Sequence, residues 1–380
     1  MDFSLTEDQV LLRDMARDFA ERELTPRAAK HDKQAAIDKE VWAMLAELGF
    51  LGLIVPEEYG GSGLSNLALS IVLEELNRCC ASTGVSVSVH NSLACSPIIK
   101  HGTPEQKQRW LPPLARGEIL GAYALTEPGS GSDASALGTR AVRDGDGWVL
   151  NGTKIWVTTG SLAGVILVYA RTNTTAPKAK GVSAFLVPTD VPGISVGKHE
   201  LKVGIRGSPA VEILLENCRV EADALLGGLD RGFPIALDVL DGGRIGIGAQ
   251  AVGIGVACIE HAVKYAKERE QFGHPIAEFQ AIQWKIADMQ ARIDAARLMV
   301  RHAAWLRDRG ERCSQAAAEA KLLASQAANF AADECLQIHG GAGYTDHFPV
   351  ERLFRDARIT EIYEGATDIQ RLVIARSVLA

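Results

Sequence analysis

"RAVRDGDGWVLNG", residues 140–152, decides the fold. Two β-forming runs flank the tetrad Asp144-Gly145-Asp146-Gly147, whose turn residues predict a tight antiparallel hairpin. The same texture extends to both sides, from Ile119 to about Leu226. "VILVYART" (165–172), "VSAFLVP" (182–188) and "VEILLENCRV" (211–220) are short β-rich runs with turn residues between them. No helix-length segment separates these strands, which argues against a parallel doubly wound sheet. The expectation is a compact antiparallel sheet or barrel.

Both flanks read as helical. Thr6 and Gln9 form a capping box, with Leu5 and Val10 at staple spacing, and Leu11, Met15 and Phe19 recur at helical intervals up to Pro26. "VWAMLAELGFLGLIVPEEYGG" (41–61) reads as a helix ended by glycine and proline. "NLALSIVLEELNRC" (66–79) aligns Leu69, Leu73 and Leu76 on one face. "TPEQKQRWLPPLARGE" (103–118) starts with Thr103 before Pro104, a favoured helix opening. After Phe233, Ile282, Ile286, Met289 and Ile293 mark one long helix, and residues 313–341 mark another, closed by Gly340 and Gly341. A last helix starts near Asp368, where Thr367 and Gln370 have capping-box spacing. The predicted domains are helical (1–118), β (119–226) and helical (227–380).

The chain has 380 residues and a formal charge of −7, which disfavours a general nucleic-acid surface. Its seven cysteines are scattered with no C-x-x-C pair, which points to a reducing compartment and away from zinc or a disulfide framework. The acidic N-terminus lacks signal-peptide character. The longest weakly polar run, Ile245–Ile259, is too short to span a bilayer. The expected location is cytoplasmic, with a processed organellar form as the alternative.

Each candidate motif has a functional and a structural reading. Gly246, Gly248 and Ala251 satisfy G-x-G-x-x-G/A, but no clear strand precedes them, so a thin-faced helix is the better reading. "YALTEPGSGSDASAL" (123–137) leaves a strand for a loop with Gly129 and Gly131. It is either a surface turn or a loop whose N–H groups cradle an anion or a polar ring edge. In "NGTKIWVTTG" (151–160), period two puts Trp156 and Thr158 on one face, either lining a flat cofactor or in the core. In "EREQFGHPIAEFQ" (268–280), Arg269 precedes Phe272, as an adenine-diphosphate clamp or as an ordinary charged helix end. No metal-type spacing surrounds His339, and no G-x-S-x-G elbow or Walker loop occurs.

Taken together, "YALTEPGSGSDASA", "NGTKIWVTTG", "LDGGRIGIGAQAVG", "REQFGHPI", "QIHGGAGY" and "RDARITEIYEGATDIQR" resemble, in order, the motifs of the flavin-dependent acyl-CoA dehydrogenases. The resemblance covers essentially the whole chain. It implies a mainly α fold: an N-terminal helical domain, an antiparallel β-barrel or sandwich domain, and a C-terminal four-helix bundle. It also implies FAD as cofactor, electron-transfer flavoprotein as partner, and a homo-oligomer, usually a tetramer. Tyr123, Leu125, Thr126 and Ser132 would lie along the flavin, Ser132 also near substrate, with Trp156 and Thr158 flanking the ring. Arg269, Phe272, Gln280 and the run Gln337 to Gly341, with Gly340, would grip adenosine and diphosphate, partly from a neighbouring subunit. Asp241 and Arg244 match positions on the CoA arm, and Gly365, Thr367 and Asp368 positions touching substrate or cofactor.

By the same resemblance Glu364 is the catalytic base. It takes the α-proton of an acyl thioester while the β-hydrogen leaves as hydride, giving a trans-2-enoyl-CoA. Burial should raise its pKa toward the working range of a general base. Some members carry the base on the long helix after the β-domain, where this chain has Gly243. Gln250 and Thr360 resemble residues that close the acyl pocket in short-chain members, which favours a butyryl-CoA-like substrate over a 2-methyl-branched one. "YEGAT" stands where the family often has "YEGTS", so Ala366 lacks a hydroxyl that Thr367 would supply. Oxidases of the superfamily are usually longer, which favours a dehydrogenase.

Overall fold

The computed structural model describes residues 4–380. Seven α-helices come first: α1 (Glu7–Phe19), α2 (Thr25–Gln34), α3 (Lys39–Glu47), α4 (Asn66–Cys79), α5 (Ala81–Ser88), α6 (Ser96–His101) and α7 (Pro104–Ala115). Thr6 caps α1 and Thr103 caps α7, each in a reciprocal box with the glutamine three residues on. The stretch from Ala81 to His101 is a helical run, buried as far as Cys95, with a wider π-turn at Val89–Cys95. Its small residues are buried on all sides, so it carries no amphipathic period to read from sequence.

The middle block is one eight-stranded sheet. Its strands are β1 (Leu120–Ala124), β2 (Arg140–Asp144), β3 (Gly147–Thr158), β4 (Ala163–Arg171), β5 (Val182–Pro188), β6 (Ile194–His199), β7 (Ala210–Val220) and β8 (Leu225–Leu226). The order is β6-β7-β3-β2-β4-β5-β8, with β1 beside β4. The expected hairpin joins β2 to β3 in the register Asp144 to Gly147, and Gly145 takes φ 59° at the turn. Most pairings are antiparallel. β1 and β2 instead run parallel to β4, because β4 returns to the sheet in the direction of β1 after the hairpin.

The C-terminal block contains α8 (Gly232–Glu268), the short strands β9 (Glu270–Gln271) and β10 (His274–Pro275), α9 (Gln280–Asp308), α10 (Ser314–His339), α11 (Val350–Arg358) and α12 (Thr367–Val378). The central helix α8 packs against α4, α9 and α10. It is longer and more apolar than the run Ile245–Ile259 suggested, enough to cross a membrane by length and composition. However, 78% of its most apolar window is buried inside the protein. Its glycines are where neighbours approach. A Cβ on Gly246 would sit 2.2 Å from Ser88 Oγ, one on Gly253 2.3 Å from the Glu74 carbonyl, and one on Gly255 2.1 Å from Ile293 Cδ1. Gly246 and Gly248 lie in mid-helix and not at the turn between a strand and a helix, so this is the thin-faced helix and not a dinucleotide loop. The mainly α layout around a middle β-domain is the one expected.

Candidate active site

Glu364 sits in the non-helical link between α11 and α12 and adopts φ 50°, a conformation few side chains accept. Gly365 follows at φ 97°. The Gly365 carbonyl accepts two hydrogen bonds from buried side chains, Lys321 Nζ at 2.6 Å and Gln370 Nε2 at 2.7 Å. These hold the link in its left-handed turn. A Cβ at Gly365 would meet Gln370 Nε2 at 2.4 Å, so glycine is required by φ and by Gln370.

The carboxylate faces inward. Glu364 Oε2 is sealed from water and has no hydrogen-bond partner among the described residues. Burial pushes its pKa up to about 7, against the opposing pull of the Lys321 and Arg244 charges. Nothing among the described residues accepts from the Glu364 N–H either. A Cβ on Gly243 of α8 would lie 2.1 Å from Glu364 Oε2 and 2.9 Å from Leu93 Cδ2. Position 243 and the carboxylate therefore address the same point in space from two elements.

α8 carries the rest of this wall at helical spacing, with Gly243, Gly246 and Gln250 on one face. Gln250 is fully buried; its Oε1 accepts from Tyr363 Oη, and its Nε2 has no partner. Thr360 is fully buried and donates to the Ala357 carbonyl at 2.7 Å. Asp241 and Arg244 form a buried pair at 2.6 Å, and Ser314 donates to the second Asp241 oxygen. Arg244 Nε is buried without a partner.

A second wall comes from the sheet. Period two would align Lys154 with Trp156, but the β3–β7 register slips between Lys154 and Val157, and Trp156 takes φ 57°. The bulge turns Lys154 inward to full burial and leaves Trp156 60% exposed, so Trp156 is not a core residue. Thr158 shares its face and is half-buried. The Thr126 carbonyl accepts from the Ile155 N–H at 3.0 Å, which fastens the Leu125–Ser132 loop to this strand. Lys154 Nζ donates to the Leu125 carbonyl at 3.1 Å and to Glu127 Oε1 at 2.7 Å. Glu127 also accepts from the Gly138 and Thr139 N–H groups. This pair was not read from sequence, because the bulge that buries Lys154 is a tertiary feature. The loop tip is open: a Cβ on Gly129 or Gly131 would touch nothing, and Ser132 is exposed. Tyr123, at the end of β1, packs on Tyr169 with ring centroids 5.2 Å apart.

Arg269, Phe272, Gln280, Gln337, Gly340 and Gly341 form another exposed group, at the ends of α8 and α10 and the start of α9. Phe272 is 91% exposed at φ 56°, on the β9–β10 turn with Gly273 at φ 82°. Among the described residues none of the six is hydrogen-bonded to the Leu125–Ser132 loop or to β3. Thr367 does not cap α12: Ala366 is the N-cap, the Thr367 hydroxyl donates to the Glu361 carbonyl, and Gln370 turns back to Gly365. The capping-box expectation fails because the glutamine is drawn to the Glu364–Gly365 link. Asp368 is exposed and pairs with Arg371. No group of three metal-type ligands occurs among the described residues.

An exposed tryptophan beside an open glycine loop fits a flat, polar-edged ring such as a flavin, and the sealed carboxylate stands ready for a proton. Comparison with known proteins gives the family. The N-terminal, middle and C-terminal domain families of acyl-CoA dehydrogenases match residues 6–118, 122–218 and 230–379. The short-chain specific acyl-CoA dehydrogenase of Rattus norvegicus is 49% identical over 99% of this chain and 91% of its own. An acryloyl-CoA reductase (NADH) of Anaerotignum propionicum is 47% identical over 100% of this chain and 96% of its own. The butyryl-CoA dehydrogenase structure from Megasphaera elsdenii superposes with TM-score 0.98 at 41% identity, each chain covered in full. A chain from a structural study of the electron-transferring flavoprotein of Acidaminococcus fermentans does so at 46% identity, also with TM-score 0.98. Over its whole length, this chain belongs to the acyl-CoA dehydrogenases, the FAD-dependent oxidoreductases of acyl-CoA thioesters.

Proposed function

We propose that the protein dehydrogenates a short, straight acyl-CoA of about four carbons at Cα–Cβ, with Glu364 as the base, on the closure of its acyl pocket. The observation that carries this reading is the sealed, unpartnered Oε2 of Glu364, raised to about 7 and facing the thin Gly243 face of α8. Glu364 Oε2 takes the α-proton as the Cα–H bond breaks. The free N–H of Glu364 donates to the thioester oxygen, where enolate charge develops. Bound FAD supplies the acceptor for the β-hydride. The loop from Leu125 to Ser132, Trp156 and Thr158 would hold the ring side of the cofactor, and Arg269, Phe272, Gln280, Gln337, Gly340 and Gly341 would hold the adenosine side. Phe272 projects from its turn without cover, which supports a second subunit at that end, as in a homotetramer.

Gln250, tied to Tyr363, and the buried Thr360 support a closed pocket floor, and hence the short chain. The likeness to proteins in an electron-transferring flavoprotein study supports that flavoprotein as electron acceptor. The likeness to a protein named acryloyl-CoA reductase (NADH) favours a second reading, reduction of a short 2-enoyl-CoA. All seven cysteines are free, which supports a reducing compartment; our reading is the cytoplasm. The test is flavin bleaching by acyl-CoAs graded in length and branching, compared for wild type and Glu364→Gln. Wild type should bleach fastest with butyryl-CoA. The variant should keep FAD and ligand binding but bleach about a hundredfold to ten-thousandfold more slowly, the range for a lost general base. Near-wild-type bleaching by the variant would move the base elsewhere. Reoxidation by the flavoprotein rather than by air separates a dehydrogenase from an oxidase.

A further inference from the structure

Lys321 is a costly residue where it stands. It is 1% exposed, among Ala317, Ala320 and Ala324 on the buried face of α10. Among the described residues no carboxylate lies within ion-pair distance of its ammonium, which donates to the Gly365 carbonyl at 2.6 Å. A buried ammonium without a counter-ion is disfavoured, and an apolar side chain would suit this alanine-rich seam better. What the lysine touches explains its presence. Gly365 and Glu364 carry consecutive positive φ values, 97° and 50°, so this link needs outside support. Gln370 supplies one donor and Lys321 the other.

We propose that Lys321 is a positioning residue for the base, holding the Glu364–Gly365 link from inside the bundle and setting a positive charge behind the carboxylate. The proposal rests on Glu364 being the base. The charged and titratable groups around that carboxylate are few. α10 contributes Lys321, and α8 contributes Arg244, already paired with Asp241. β1 contributes Tyr123, and the link itself Tyr363 and Glu361. Burial pulls the Lys321 ammonium down to about 8, while Glu364 and Glu361 act to keep it charged. Lys321 is in turn the stronger of the two positive charges that oppose the rise of Glu364. With Asp241 engaging Arg244, Lys321 is the cation with no carboxylate partner of its own. Its removal should let the base rise further and narrow the pH range over which it is ionised.

The experiment is stopped-flow bleaching of the FAD-loaded enzyme by butyryl-CoA across pH, for wild type, Lys321→Met, Lys321→Gln, Lys321→Arg and Glu364→Gln. The acid limb of the profile should move up by about one pH unit in Lys321→Met, the low end for loss of an opposite charge. Lys321→Gln keeps a donor for Gly365 without the charge, so it should show the same shift with a smaller loss of plateau rate. Lys321→Arg should return the limb to its wild-type position. Acid limbs unmoved in both neutral variants would overturn the proposal, even if rates fell, because they would leave Lys321 a purely structural role. If Lys321→Met does not retain FAD, Lys321→Gln alone decides. The base assignment is judged separately: bleaching by Glu364→Gln at near-wild-type rate would remove it whatever the lysine variants do.

Discussion

Replacing Gly243 with alanine isolates the geometry of the site. The new Cβ would stand 2.1 Å from Glu364 Oε2 and 3.1 Å from its Cδ, against about 3.4 Å for ordinary contact. The carboxylate must therefore retreat by about 1.3 Å, and misplacement of a reacting group by about 1 Å can cost about a hundredfold in rate. The fold should hardly notice. The displaced atom is the end of a flexible side chain, and alanine in a helix interior gains up to about 1 kcal/mol over glycine. The expected result is a melting temperature equal to or above wild type, undiminished FAD content, and butyryl-CoA bleaching slowed about a hundredfold. Gly253→Ala on the same helix is the control. Its Cβ would meet the Glu74 carbonyl at 2.3 Å and the Arg78 N–H at 3.0 Å, both rigid backbone. That variant should lose about 1–3 kcal/mol of stability through overpacking, seen as a lower melting temperature. Bleaching by Gly243→Ala within twofold of wild type would refute the placement of the reacting carboxylate against this face of α8.

Three further outcomes follow from the geometry. Lys154→Met leaves Glu127 buried without its ammonium and the Leu125 carbonyl without its donor, so the flavin-side loop should loosen. FAD should dissociate more readily on dilution while the helical circular dichroism of the chain is unchanged. Gln250→Ala removes the acceptor of the Tyr363 hydroxyl and opens the pocket floor, so preference should move toward six- and eight-carbon acyl-CoAs by about tenfold in relative kcat/KM. An unchanged chain-length profile would reject the floor assignment. Arg269→Ala should lower FAD retention and weaken assembly, measured by flavin-to-protein ratio and sedimentation. An unaltered flavin ratio would take Arg269 out of the cofactor site.

The order of elements was legible because it is written in local signals. The turn tetrad at 144–147, the threonine–glutamine boxes at Thr6 and Thr103, and the periodic leucines of α4 each act within a few residues. Glu364, our proposed base, stood out through its motif, and Gly243 as a position that supplies no base. The buried run from Ala81 to Cys95 was not legible, because burial on every side erases the helical period. Lys321 left a readable trace, since it falls on the apolar face of α10 with Ala317 and Ala324, but its partner is 44 residues away.

What the sequence determined by itself was the succession of helical, β and helical segments and the identity of the groups able to do chemistry, because propensity and patterning operate over a few residues. Tertiary structure alone decided their state. It took the meeting of α8, α10 and the Glu364 link to seal one carboxylate oxygen from water, and the β3 bulge to bury Lys154 while exposing Trp156. Desolvation and the field of distant charges set a side chain's reactivity, and both depend on neighbours that the linear order does not specify.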